Sequence, residues 1–65
     1  MIEEYDHVVI KATGIPGVVV DIYEKNGKKI YTVESDEKGV SGGIGEDGSY
    51  KLFACLAEEI EKHVS

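Results

Sequence analysis

Asn26-Gly27 lies between "VVVDIYEK" and "KKIYTVES", two runs rich in β-branched and aromatic residues, and this arrangement restricts the fold more than any other stretch of the chain. Both turn residues accept the positive φ that a type I′ turn requires, so the pair predicts a tight antiparallel hairpin. The turn also sets a register: Lys25 faces Lys28, Glu24 faces Lys29, Tyr23 faces Ile30, Ile22 faces Tyr31, Asp21 faces Thr32 and Val20 faces Val33. Cross-strand partners share a face. One face is therefore predicted to hold Val18, Val20, Ile22, Tyr31 and Val33 as core, and the other to hold Val19, Asp21, Tyr23, Ile30, Thr32 and Glu34 as a mixed, partly wet surface. A slip of one residue would turn Asp21 inward.

Upstream, Asp6 to Lys11 ("DHVVIK") has the β-branched character of a first strand, and "ATGIPG" follows it with turn residues. Downstream, Glu34 to Ser49 holds five of the eight glycines and five acidic side chains, with Val40 and Ile44 as its apolar anchors. That composition predicts a long, mobile loop, and loops of this length in compact domains are commonly functional or disordered. The last stretch, "YKLFACLAEEIEKHVS", carries two patterns at once. Leu52, Leu56, Ile60 and Val64 recur at helical spacing with Ser49 as a cap, and local propensity favours that helix. Tyr50, Leu52, Ala54 and Leu56 also alternate as a strand would, leaving "AEEI" as a 3₁₀ turn and "EKHV" as a final strand.

The order of strand, Gly-Ile-Pro-Gly, "VVVDIY", Asn-Gly turn, "KIYTVES", loop and "KLFACLAEEIEKH" resembles the small SH3-like barrels of uncharacterised bacterial proteins. The likeness spans nearly the whole chain and implies one SH3-like domain over residues 1–65. It implies an all-β fold of five strands with a 3₁₀ turn before the last one. The alternative is α+β: a three-stranded antiparallel sheet with a C-terminal helix. Closing the sheet would also protect edges that a three-stranded sheet leaves open. "GIPGVVVDI" is similar to the core of KOW modules, whose members contact RNA or protein, although Asp21 and the net negative charge depart from that pattern.

At 65 residues the chain forms a single domain with a small core, which argues against a deep substrate cleft. Thirteen acidic residues against seven lysines and no arginine give a formal charge of −6. That balance disfavours phosphate backbones and anionic membrane surfaces as partners. A single cysteine, Cys55, precludes an internal disulfide and fits a reducing compartment, and the opening residues lack a basic region followed by an apolar run. The expected setting is cytoplasmic, bacterial and free of membrane, as a monomer or weak homo-oligomer.

Motifs that carry chemistry are sparse. "GIGEDG" matches the letters of a dinucleotide fingerprint, but the chain is too short for the surrounding sheet, and Glu46 and Asp47 would repel a pyrophosphate. Asp36, Glu37, Glu46 and Asp47 lack calcium-loop spacing. Cys55, His7 and His63 lack a fourth zinc ligand, and Cys55 between Ala54 and Leu56 reads as a core thiol. No catalytic residue, metal or cofactor is assigned.

Binding is the remaining class of function. SH3-like barrels engage partners through aromatic residues beside their loops, so the resemblance points to Tyr23, Tyr50, Phe53, Gly43 and Gly45 as the contact surface of a non-enzymatic module for a protein or peptide. The alternative is a KOW-like nucleic-acid accessory protein touching RNA or DNA through the Lys25, Lys28 and Lys29 tip, where Glu24 facing Lys29 offsets part of the charge. Small size and acidity also suit an inhibitor encoded by a phage or mobile element that imitates nucleic acid.

Overall fold

Asn26 at φ 53° and Gly27 at φ 78° place both turn residues in the left-handed region, and the strands on either side pair through them. In the computed structural model, which describes residues 1–63, these are β2 (Ile15–Lys25) and β3 (Lys28–Ser35). From Lys25 opposite Lys28 to Asp21 opposite Thr32 the register is the one the turn dictates. Beyond Asp21 it shifts, because Val19 rather than Val20 stands opposite Val33.

The shift is a β-bulge, in which Val20 is an extra residue with no partner across the ladder. Its effect is to reverse the facing of everything upstream. Val19 is fully buried, whereas Val18 and Val20 are only partly buried, which corrects their expected place in the core. Ile22 and Val33 keep their expected faces, and Tyr31 is buried at 5 % exposure. Three consecutive valines carry no polar residue to mark the phase of the alternation, so the hairpin turn alone could not place the bulge. The N-terminal segment fastens onto this point: Val19 N–H donates to the Asp6 carbonyl at 3.0 Å, and its own carbonyl accepts from Tyr5 N–H at 2.6 Å.

The first strand, β1 (His7–Ile10), is shorter at each end than expected and pairs with the start of β2. The C-terminal stretch is β4 (Leu52–Leu56), a 3₁₀ turn (Ala57–Glu59) and β5 (Ile60–Lys62), so the helical reading of the Leu52, Leu56, Ile60 spacing fails. Tertiary pairing overrides propensity here, because Tyr31, Thr32 and Val33 of β3 offer a ladder to Cys55, Ala54 and Phe53. Val64, the last member of that spacing and of the expected final strand, lies outside the described residues.

All five strands are antiparallel members of one sheet in the order β4-β3-β2-β1-β5. The fold is all-β. The sheet is not closed by pairing of β4 with β5, yet these two edge strands are joined by only three residues, Ala57–Glu59. Such a short link holds the end of β4 near the start of β5, so the sheet is curled rather than flat. Val8, Ile10, Val19, Tyr31, Val33, Cys55 and Ile60 fill the inside of the curl, with Ile2, Ile15, Ile22 and Phe53 packed against them. No helix among the described residues is long and apolar enough to cross a membrane.

Candidate binding surface

The β3–β4 loop folds back on the sheet through a ladder of polar contacts. Its base is closed by Ser35, 2 % exposed, whose hydroxyl donates to the Glu37 carbonyl at 2.8 Å and accepts from Lys51 N–H at 3.0 Å. Higher up, Gly39 N–H donates to the Ser49 carbonyl at 2.9 Å. Ser49 therefore serves the loop rather than a helix, and its hydroxyl donates to the Glu46 carbonyl at 2.6 Å. At the top, Ile44 and Leu52 exchange two backbone bonds of 2.8 and 2.9 Å, so the loop adds one bridge to the outer edge of β4.

Gly43 lets the loop pass this close. At φ 71° it occupies a conformation that side chains disfavour, and a Cβ there would lie 2.9 Å from both the Leu52 carbonyl oxygen and the Phe53 ring. Ile44, the next residue, is 73 % exposed although it is a large apolar side chain held in a fixed backbone position. It stands at the mouth of an open groove of about 690 Å³. Phe53 and Cys55 line it from β4, Ile10 and Lys11 from the end of β1, and Glu58 from the 3₁₀ turn. That volume is within the usual size of small-ligand pockets.

The expected contact residues divide in two. Gly43 and Phe53 belong to the groove. Tyr23, 44 % exposed, lies on the outer face of β2 opposite Ile30 and outside the groove lining. Tyr50, 47 % exposed, packs under the Lys38 ammonium, which sits 5.4 Å from its ring centroid. Gly45 abuts the Tyr50 carbonyl and the Lys51 side chain, away from the groove. The five residues do not form one patch. Ile44, read in the sequence only as a loop anchor, is instead an exposed wall of the groove, and the sole signal for it was an apolar residue among glycines and acids.

Among the other candidates, His7 and His63 are brought together by a backbone bond. Lys25, Lys28 and Lys29 are exposed at the hairpin tip, with Glu24 directly across from Lys29. His63 N–H donates to the His7 carbonyl at 2.8 Å, which makes those two neighbours across β5 and β1. Cys55 is 5 % exposed, and burial, with the Glu59 carboxylate as a lesser cause, pushes its thiol above the ordinary range. A thiol held in its neutral form is a poor nucleophile. Among the described residues, no three or more His, Cys, Asp or Glu side chains are grouped so as to hold a metal ion. Comparison with protein-family models, with curated proteins and with solved structures finds no match for the chain.

Proposed function

We propose that this chain is a non-enzymatic module that binds a protein or peptide segment, built on an SH3-like barrel. The barrel reading is supported by the strand order and by the three-residue corner that joins the two edge strands. The binding reading rests on one observation: Ile44 is held 73 % exposed at the mouth of an apolar groove whose floor contains Phe53 and Cys55. A small domain gains stability by burying such a side chain, and a fixed backbone that instead presents it to solvent suits contact with a partner. His7 and His63, neighbours through a backbone hydrogen bond, lie outside the lining of the groove that holds the neutral Cys55 thiol, which favours binding over bond chemistry.

Selection of displayed random peptides on the folded chain, followed by amide shift mapping, tests this. Shifts at Ile44, Phe53, Ala54 and Glu58 are expected. Selected peptides that moved none of these would overturn the groove as the site. Salt-sensitive RNA binding lost on changing Lys25, Lys28 and Lys29 to glutamate would instead favour nucleic acid as the partner.

A further inference from the structure

Residues of β4 alternate between bonding β3 and facing outward, as antiparallel pairing requires. The Lys51 carbonyl accepts from Ser35 N–H at 2.9 Å and so faces β3, while Leu52, next along, spends both backbone groups on Ile44. Leu56 also faces outward, its N–H donating to Glu59 Oε1 at 2.7 Å. Ala54, midway between them, shares this outward aim. It is exposed and lines the groove, its pairing opposite Thr32 falls on the outward phase of the ladder, and no turn or loop residue among those described bonds its N–H or carbonyl. The edge is therefore occupied by Ile44 at one end, capped by Glu59 at the other and open between.

The groove lining itself carries a small excess of acid: Glu58 and Glu59 on the 3₁₀ turn stand against Lys11, on a chain of formal charge −6, while Lys28 and Lys29 adjoin Glu58 in a separate hollow beside Leu56 and Ala57. An open edge beside an apolar floor and an acidic rim suits an extended segment whose side chains alternate between apolar and basic.

We propose that a lysine- or arginine-rich extended peptide docks in this groove as a short added strand, exchanging backbone hydrogen bonds with Ala54. This rests on the peptide-binding reading and adds to it the backbone partner and the charge of the ligand. The apolar side chains of the peptide reach Phe53 and Ile44, and its cations reach Glu58.

The test uses an acetylated, amidated Val-Lys-Val-Lys-Val-Lys peptide titrated into the full chain and followed by amide shifts. Saturable shifts at Ile44, Ala54 and Glu58 are expected. The same peptide N-methylated at its central residues, and a Val-Glu-Val-Glu-Val-Glu peptide, should each bind about tenfold more weakly or worse. Ala54→Pro removes an outward N–H while sparing the ladder to β3, and should weaken binding similarly; Ile44→Ser changes an exposed side chain and supplies a second variant should the proline disturb folding. Equal binding of the N-methylated peptide would overturn strand addition, and equal binding of the glutamate peptide would overturn the charge preference. In either case the groove would still be a peptide site. Absence of groove shifts with these peptides and with the selected ones would overturn both readings.

Discussion

Gly17 stands opposite Ser35 with the carbonyl oxygen of Glu34 occupying the space that a Cβ on Gly17 would need. The Val33 Cγ1 atom would lie only 2.6 Å from that Cβ. Because the obstacle includes backbone of β3, no rotamer change relieves it. Gly17→Ala should destabilise the fold by about 1 to 3 kcal/mol, the usual result of overpacking. Urea unfolding checks this, and a variant as stable as the parent would show that β2 and β3 can separate without cost.

The bulge makes two adjacent valines unequal. Val19 is fully buried opposite Val33, whereas Val20 is unpaired and partly exposed. Val19→Ala removes two buried methyl groups and leaves a cavity, at a cost of about 2 to 3 kcal/mol. Val20→Ala should cost less than about 1 kcal/mol. If denaturant midpoints ranked the two the other way, the register from Asp21 upstream would have to be the unshifted one.

How far the fold was legible follows from these residues. Asn26-Gly27 placed the hairpin and its register as far as Asp21, because turn chemistry and the outward Asp21 agree. Upstream, Val18, Val19 and Val20 are interchangeable in hydrophobicity, and their phase is set by pairing with β1 and by the close approach at Gly17, which no local pattern records. The C-terminal stretch satisfied both helical and strand spacing with local propensity leaning to helix, and the ladder with β3 decided it for strand. Phe53 and Gly43 were identifiable as an aromatic next to a glycine-rich loop. Ala54 was not, since its place in the proposed site depends on which way its backbone faces.

Asp6 ties the N-terminal segment to the last strand. Its Oδ2 accepts from Glu3 N–H at 2.8 Å and lies 3.4 Å from Lys62 Nζ. The backbone bond from Glu3, with help from Lys62, holds the carboxyl below its ordinary value. A lowered folded-state pKa contributes stability that is complete above the unfolded value of about 3.9 and is lost as pH falls through the folded value. Asp6→Asn should therefore lower stability above about pH 5, and the gap to the parent should close in more acidic solution. Urea midpoints across that range test this, and a gap independent of pH would show that the charge of Asp6 contributes nothing.

Cys55 reports on the corner between β4 and the 3₁₀ turn from inside. Burial raises its thiol, and Glu59 adds to the effect from the 3₁₀ turn. A raised folded-state pKa means stability that is present below the unfolded thiol value of about 8.5 and is lost as pH rises towards the folded one. In native protein near pH 8, reaction with a bulky disulfide reagent should be slower than in urea by at least about tenfold, since it must await local opening. Glu59→Gln keeps an acceptor for Leu56 N–H but removes the charge, so it should bring the thiol closer to its ordinary value and speed the native reaction at alkaline pH. A native rate equal to the unfolded one would mean that the groove floor is open to reagent and that Cys55 is not a core side chain.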